Sequence, residues 1–379
     1  MAIELPLRAF HEKLRAHFHE QNGWNVVQTY RSDNAEHQIA RQACGLFDLS
    51  SRILLEVKGK DAADWLHNLL TNDIKSLKPG QGTSAALLTP QAKSQAQVNL
   101  FALTDGFWLD GEPQLGATLP EQLSKFRVRE KVEVIDRSKE FGFLALQGPA
   151  SVTTLETWLG SQACPPEPLN HVTLRIQGQP ILICRGSFTG DPGFYMISPI
   201  QILEHLWQQL LARGRPFHLT PCGMEALESL RIEAGIPRFG KDFDAETFFP
   251  EVGLKDAVSE TKGCYIGQEF VVRVRDQGQL KRQLVQLAID GTQPFPSGSK
   301  LTLEDKEIGS ITSSAFVPSQ NKIFALGYVQ QALVEPGTKL SVSVKGAPAQ
   351  ATVTTPQVVT PEGPLPEEES HDHDHDHDH

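Results

Sequence analysis

The chain has 379 residues, which is more than one hydrophobic core usually serves, so its length predicts two or three domains. Its net charge is −11, but residues 362–379 hold eight acidic residues and no Lys or Arg, so the rest carries only −3. A nearly neutral body lacks the long-range field of nonspecific nucleic-acid binding, and we expect no direct nucleic-acid partner. Because no run of about 18 apolar residues and no signal-peptide pattern occurs, the sequence predicts no membrane association and a cytoplasmic location.

The first half of the chain interleaves helical and strand patterns. Leu7, Phe10, Leu14 and Phe18 recur at helical spacing before Gly23, which predicts an opening amphipathic helix. Residues 59–73 predict a second helix, and residues 45–59, 125–138, 141–148 and 179–186 have the β-branched content of strands. If residues 125–134 form a strand, then Lys125, Arg127, Arg129 and Lys131 share one face, which we interpret as a solvated face.

The second half changes in texture near residue 283. Residues 199–214 and 223–237 predict helices, whereas the later segments are short strands separated by Gly, Pro, Asp and Asn, as in a small barrel or sandwich. We therefore predict an α+β fold with two α+β domains at 1–135 and 136–282 and a β-barrel at 283–358. Residues 359–379 have nothing to bury and predict a disordered tail.

One short segment carries candidate chemistry. The five cysteines form no CxxC pair, which predicts reduced thiols, but Cys264 stands within "KGCYIGQE" at residues 262–269. Lys262 and a following helix N-terminus would both favour a thiolate there, although a lone cysteine is often a small buried hydrophobe. Glu269 and Arg273 have the spacing of a helical ion pair, while the valines at 271, 272 and 274 leave a strand open.

This segment resembles the signature of the YgfZ family, which comprises folate-binding relatives of the glycine-cleavage T-protein. Residues 45–74, "LQGPAS" at 146–151 and "ESLRIEAGIPRFGKDF" at 228–243 resemble superfamily segments in the same order, over about residues 40 to 350. The resemblance implies a T-protein-like, three-lobed architecture around a central cavity that binds tetrahydrofolate or a one-carbon derivative. It also implies an accessory protein for assembly or repair of iron-sulfur clusters, with iron-sulfur enzymes or cluster carriers as partners and an indirect role in tRNA modification.

The resemblance also assigns residues. It implies Cys264 as the working thiol with Lys262 beside it, and a single thiol suits a transient rather than a permanent cluster. It implies Arg231 as the group that grips the glutamyl carboxylates of folate, with a surface ion pair as the alternative. The remaining motif positions are Gly263, Tyr265, Gly267, Gln268, Glu269 and Arg273, and the further cavity positions, each also ordinary as a helix cap or core residue, are Thr71, Asp73, Leu88 and Thr189.

Three positions in two segments depart from the T-protein pattern. Ala96 and Gln97 stand where the T-protein has an acidic pair, and neither side chain can act as a base at that place. Tyr195 stands where the T-protein has a glutamate that holds the pterin, and it would have to stack on the ring or donate its hydroxyl instead. We therefore favour folate binding without that reaction, with a folate-dependent aminomethyl or one-carbon transferase that uses another acid as the alternative.

The chain ends in an alternating His/Asp run. Imidazole and carboxylate ligands suit zinc, nickel or copper, and the five histidines are His371, His373, His375, His377 and His379. A native metal-gathering tail, a purification appendage and a solvated acidic tail are all compatible with this pattern. A metal-handling protein that acts through the tail is accordingly a third functional hypothesis.

Overall fold

The computed structural model describes residues 1–278, 280–344, 347–357 and 365–366. The predicted tail and its five histidines lie outside this description, apart from the half-buried pair Leu365 and Pro366. The helices are α1 Arg8–Lys13, α2 Asp33–Gln42, α3 Ala62–Leu69, α4 Leu115–Lys125, α5 Ser151–Leu159, α6 Leu203–Gly214, α7 Met224–Glu233 and α8 Gln268–Gln277. The strands are β1 Ile3–Glu4, β2 His17–Gln21, β3 Trp24–Thr29, β4 Cys44–Asp48, β5 Ile53–Lys58, β6 Gly82–Leu88, β7 Ser94–Leu103, β8 Gly106–Gly111, β9 Glu133–Asp136, β10 Phe141–Gln147, β11 His171–Ile176, β12 Gln179–Arg185, β13 Gly193–Pro199, β14 Leu219–Pro221, β15 Arg282–Ile289, β16 Lys300–Leu303, β17 Lys306–Val317, β18 Lys322–Gln330, β19 Lys339–Val344 and β20 Ala347–Thr354.

Three open sheets form the N-terminal two thirds of the described chain. Their strand orders are β1-β3-β2, β6-β7-β8-β5-β9 and β11-β12-β13-β10-β4-β14. Strands β4 and β5 are consecutive in sequence but belong to different sheets, so residues 49–52 cross from one sheet to the other. This crossing brings Leu49, Ser51 and Arg52 to the junction between the two large sheets.

The N-terminal segment differs from the predicted single helix. Helix α1 ends at Lys13, and residues 17–29 form the β2–β3 hairpin. Asn22 and Gly23, at φ of 52° and 79°, supply the positive-φ pair that a two-residue hairpin turn requires. The helical spacing of Phe10, Leu14 and Phe18 is therefore overridden by the Asn-Gly turn signal.

The basic segment after α4 also differs from the predicted strand. Residues 126–132 form a loop in which the Glu130 carboxylate accepts hydrogen bonds from the backbone N–H groups of Val128 and Arg129 at 2.9 and 3.0 Å. The Arg127 guanidinium donates to the carbonyl of Val132 at 3.3 Å. Lys125 ends helix α4 and the other three basic residues lie in this loop, so Lys125, Arg127, Arg129 and Lys131 do not share one strand face.

The C-terminal strands close into the predicted barrel. The strand order is β15-β18-β17-β16-β19-β20, and β20 returns to pair with β15. Alternate residues point inward and bury a core that includes Leu287, Leu301, Ile311, Val329 and Val353. The mixed α/β body with a C-terminal all-β barrel is thus confirmed. No helix in the described part of the chain is long and apolar enough to cross a bilayer.

Asp242 is one point at which the barrel is attached to the body. One carboxylate oxygen accepts hydrogen bonds from the hydroxyls of Thr312 and Ser313 at 2.5 and 2.6 Å, and the other accepts from Arg231 Nη1 at 2.8 Å. The Tyr328 hydroxyl donates to the Asp242 carbonyl at 2.8 Å. A second attachment runs from the Gln286 amide to the carbonyls of Ile232 and Glu233 at the end of α7.

We predict that Asp242→Ala lowers the free energy of unfolding by about 3–5 kcal/mol, because it removes a buried carboxylate that accepts from Arg231, Thr312 and Ser313 and leaves Arg231 with one of its two carboxylate partners. Denaturant unfolding of the two proteins measures the difference. Asp290→Ala, at an exposed barrel position, is the matched control and should change stability by no more than about 0.5 kcal/mol. Equal stabilities of the two variants would contradict the central role of Asp242.

Candidate functional site

A cavity of about 190 Å³ lies where the three sheets meet helix α7. This volume is below the ~300–1,000 Å³ that encloses a drug-sized ligand, so the enclosed part suits a ring system whose remaining chain extends outward. The walls are contributed by seven separate parts of the sequence. The residues that line the cavity are Gln21, Asn22, Val26, Leu49, Ser51, Arg52, Gln97, Asn99, Glu112, Pro113, Ser187, Phe188, Met224, Leu227, Glu228, Arg231, Ile236, Pro237, Arg238, Phe239 and Leu254.

Strand β7 presents amide side chains to this cavity. Its residues alternate between buried and half-buried positions, so Ala96 and Val98 face the core while Gln97 and Asn99 face the cavity. Ala96 is fully buried, and Gln97 donates a hydrogen bond from Nε2 to the Ser84 hydroxyl at 2.9 Å. Of the two positions that depart from the T-protein acidic pair, only Gln97 therefore lines the cavity.

Helix α7 forms the opposite wall. Met224, Leu227, Glu228 and Arg231 are spaced three and four residues apart, which places them on one helical face. The first two make this wall apolar, and the last two make it charged at its C-terminal end.

The charged end of this wall is a closed network. Glu228 Oε1 accepts hydrogen bonds from Arg231 Nε and Arg238 Nε, and Oε2 accepts from Arg231 Nη2, all at 2.8 Å. Although burial acts to raise it, the charges and hydrogen bonds of the two arginines lower the pKa of Glu228 to about 2. Arg231 also donates from Nη1 to the Ile236 carbonyl and to Asp242, so its guanidinium is largely occupied by protein acceptors. The predicted folate-gripping arginine thus lies in the cavity wall but within a buried ion-pair network rather than a surface one.

A second charged group occupies the far side of the cavity. Arg52 donates from Nε to Asp110 Oδ1 at 3.0 Å and from Nη1 to Glu112 Oε1 at 3.1 Å. Its guanidinium lies over the rings of Phe143 and Phe188 at 5.6 and 5.2 Å. Burial raises the pKa of Asp110, and the Arg52 charge opposes that shift.

Tyr195 does not line the cavity. Its side chain is 1% exposed, and its ring stacks on that of Phe143 at 4.9 Å and contacts Phe188 at 5.4 Å. A Cβ atom at Gly186 would lie 2.1 Å from this ring, so a glycine is required where the chain passes over it. Tyr195 supports the residues of the cavity wall from behind.

The four other predicted cavity residues have structural contacts away from the lining. The Thr71 hydroxyl donates to the Ala257 carbonyl at 2.6 Å and accepts from the backbone N–H of Ala86. Asp73 accepts hydrogen bonds from the hydroxyl and the backbone N–H of Ser76. The bond from the Ser76 hydroxyl is the largest cause of the lowered pKa of Asp73.

Leu88 belongs to the core of the five-stranded sheet, and the Thr189 carbonyl accepts from the buried Arg41.

Lys262 stabilises the end of helix α3. Its ammonium donates hydrogen bonds to the carbonyls of His67 and Leu70 (2.5 Å), which are among the acceptors that a helix C-terminus leaves without partners, and to that of Asn72 (2.8 Å) just after the helix. Burial lowers the pKa of Lys262 to about 8, and the Asp73 carboxylate opposes the shift. With all three protons directed at carbonyls, this lysine does not point toward Cys264.

Cys264 is the exposed member of the five cysteines. Burial raises the pKa of Cys44 to about 12 and of Cys164 to about 11, which suits inert thiols. Helix α8 begins at Gln268, four residues after Cys264, as the helical interpretation of the sequence predicted.

The rest of the motif shapes the loop before α8. Gly267 has a φ of 85°, and a Cβ atom there would lie 2.7 Å from the Thr89 carbonyl oxygen. Tyr265 is buried and lines a second cavity of about 360 Å³ beneath α8, with Phe249, Val258, Val271 and Leu280. Gln268 donates to the Gly263 carbonyl at 3.4 Å, and Glu269 pairs with Arg273 at 2.9 Å on the exposed surface.

Residues 1–278, 280–344, 347–357 and 365–366 contain no cluster of three His, Cys, Asp or Glu side chains arranged to hold a metal ion. The five tail histidines lie outside these ranges, so their predicted metal binding stays a prediction.

Several wall residues were not singled out by the sequence. Arg52, Asn99, Glu112, Phe188 and Glu228 meet only in three dimensions. A usable signal was the run of polar residues at 95, 97 and 99 in an otherwise apolar strand, since a buried strand face lined by amides indicates a polar ligand.

Comparison with known proteins gives consistent matches along the chain. Residues 7–262 match the family model described as the GCVT N-terminal domain, and residues 282–359 match the glycine cleavage T-protein C-terminal barrel domain. An aminomethyltransferase of Cutibacterium acnes is 31% identical over 361 residues, covering 92% of this chain and 96% of the relative. An aminomethyltransferase of Thermosynechococcus vestitus is 30% identical over 345 residues, with 90% and 91% covered. The crystal structure of the glycine cleavage system aminomethyltransferase T from Bartonella henselae matches with a TM-score of 0.85 at 28% identity, covering 95% of this chain and 99% of that one.

We predict that Glu228 makes stability depend on pH in the acidic range. Its pKa is depressed from 4.5 to about 2 in the folded state, so its contribution is complete above pH 4.5 and is lost as the pH falls toward 2. The full shift corresponds to about 3 kcal/mol of unfolding free energy. Denaturant unfolding between pH 6 and 3 should show a smaller fall for Glu228→Gln than for the wild type, and parallel curves would contradict the assignment.

Proposed function

Because the chain belongs to the glycine cleavage T-protein family, we propose that it binds tetrahydrofolate or a one-carbon derivative in the central cavity. The observation that carries the proposal is the lining of this cavity. It combines an aromatic face at Phe188, amides at Gln97 and Asn99, and apolar side chains at Met224 and Leu227. A flat heterocycle with hydrogen-bonding edges matches that combination.

The size of the cavity supports the same ligand class. The enclosed volume of about 190 Å³ suits a bicyclic pterin, with the aminobenzoyl-glutamate extending toward the mouth. Arg231 and Arg238 share Glu228, and Arg231 also pairs with Asp242. Arg238 is half-buried whereas Arg231 is buried, so a glutamyl carboxylate at the mouth would meet Arg238 more readily than Arg231.

The relatives named aminomethyltransferase support a reaction as well as binding. In this chain, however, Ala96 is buried and Gln97 is neutral, so the proton transfer of a transferase would need another group. Glu228 is held ionised by two arginines, which leaves Glu112 as the remaining carboxylate on the described cavity wall. We therefore place folate binding first and an aminomethyl or one-carbon transferase second. Formation of a one-carbon tetrahydrofolate from an aminomethyl or N-methyl donor distinguishes the two.

The exposed thiol of Cys264 favours one further role. In the YgfZ-like hypothesis, the protein assists assembly or repair of iron-sulfur clusters in client enzymes and thereby supports tRNA modification. An exposed thiolate can contact iron or a cluster-bearing partner transiently, whereas a buried thiol cannot. Cys264 lies on the surface beside α8 and does not line the central cavity, so this role and folate binding use different parts of the molecule.

We predict that the protein binds tetrahydrofolate with a micromolar Kd in calorimetric titration and that Met224→Trp weakens binding at least tenfold by filling the cavity. Leu303→Trp, at an exposed position on the barrel, is the control of equal size and should bind like the wild type. Absence of binding to the wild-type protein, or equal binding to both variants, would contradict the proposed site.

We also predict that Cys264→Ser abolishes recovery of iron-sulfur enzyme activity in cells that lack the protein, while its Tm stays that of the wild type, because the side chain is exposed. Cys164→Ser is the matched control and should restore activity. Full recovery with Cys264→Ser would contradict the hypothesis that the thiol is required and would leave the folate proposal unaffected.

A further inference from the structure

Two carboxylates line the central cavity in the described part of the chain, and they differ in what they leave free. Both oxygens of Glu228 accept hydrogen bonds from arginines, with two on Oε1 and one on Oε2. This side chain is therefore committed to the protein wall. Because Oε1 already accepts two donors, a ligand could form a bidentate pair with Glu228 only by displacing a guanidinium.

Glu112 has acceptor capacity to spare. Its one hydrogen bond within the described chain comes from Arg52 Nη1 to Oε1 at 3.1 Å, which leaves Oε2 without a protein donor. The side chain is 19% exposed, so it faces the cavity without being open to bulk solvent. It follows directly on strand β8, and Pro113 after it limits the backbone freedom of the segment.

The polar groups around Glu112 form a subsite that could bind the polar edge of a planar ring. Arg52 donates a hydrogen bond to Glu112 and also bonds the buried Asp110. The Arg52 guanidinium therefore has a second carboxylate partner besides Glu112. The Phe188 ring lies against Arg52 at 5.2 Å and belongs to the same cavity wall. Gln97 and Asn99 bring amide groups to that side of the cavity. A ring that contacts Phe188 would thus turn its polar edge toward a carboxylate and two amides.

The chemistry of the ligand class fits this edge. A 2-amino-4-oxo pterin carries an exocyclic amino group and a ring N–H side by side, and a carboxylate accepts both in a bidentate pair. We propose that Glu112 is the specificity-determining acceptor for the amino and N–H donors of the pterin. This inference rests on the proposed folate binding and names the residue that selects the ring. Arg52 pairs with Glu112 through Oε1 and shares its charge with the buried Asp110, so Glu112 keeps its charge partner when Oε2 accepts a ligand donor.

The test pairs one substitution with one change in the ligand. Calorimetric titrations compare wild type and Glu112→Gln with tetrahydrofolate and with its 2-desamino analogue, which lacks the exocyclic amino group. Wild type should lose about ten- to hundredfold in affinity when the amino group is removed, and Glu112→Gln should lose a similar factor for tetrahydrofolate itself. In the variant, removing the amino group should cost little more, because the contact is already gone.

Two controls separate the contact from general effects. Glu121→Gln, on the exposed face of α4, removes a carboxylate outside the cavity and should bind like the wild type. Glu112→Asp keeps the charge beside Arg52 and should bind better than Glu112→Gln. The Tm of each variant reports whether the fold is intact.

The outcomes are distinguishable. If wild type binds tetrahydrofolate and Glu112→Gln binds it equally well, or if removing the amino group costs both proteins the same factor, the assignment of Glu112 is overturned while the folate proposal stands. If wild type binds no tetrahydrofolate, both are overturned.

Discussion

The ion-pair network of Glu228, Arg231, Arg238 and Asp242, in which Arg231 and Asp242 are buried, is the interaction on which the rest of this architecture depends. It joins helix α7, the segment that follows it and the barrel through one set of charges. Burying the charges of Arg231 and Asp242 is costly unless each finds partners, and in the network every carboxylate oxygen accepts at least one hydrogen bond. The cavity wall and the docking of the barrel are consequently parts of one cooperative unit, so a change on either side is felt on the other.

The arrangement separates structural charge from charge that a ligand can use. At the α7 wall, arginines and acids neutralise one another and fix the shape of the cavity. At the Arg52 wall, one carboxylate is buried and one is left partly free. Glu228 and Glu112 are both paired with arginine, but Glu228 receives three hydrogen bonds and Glu112 receives one within the described chain. Glu228 therefore stabilises the wall, whereas Glu112 can accept from a ligand. A list of charged residues in a pocket would not reveal it.

Much of the fold was predictable where the signal is local. The barrel strands, α6 and α7 follow from periodicity and from glycine and proline positions. The helix after Cys264 was favoured by the spacing of Glu269 and Arg273, although the valines left a strand open. The N-terminal hairpin was missed because apolar residues happened to fall at helical spacing, whereas Asn22 and Gly23 determined the turn. The site was harder, because Arg52, Glu112 and Glu228 come from distant segments whose approach depends on the crossing between sheets at residues 49–52. Family resemblance led to Arg231 and Gln97, but it could not indicate that Tyr195 lies behind the wall or that Arg231 is already paired.

The motif at residues 262–269 illustrates how a signature can record architecture rather than chemistry. Lys262 holds the end of α3, the buried Tyr265 lines the cavity beneath α8, and Gly267 allows the chain to pass close to Thr89. Each of these residues has a reason to persist in any protein that keeps the fold, whatever its substrate. The side chain at position 264 differs from these, since it is exposed. A substitution at position 264 would therefore change the stability of the fold little. Position 264 is thus the position in the motif at which the residue could change with function while the fold is kept.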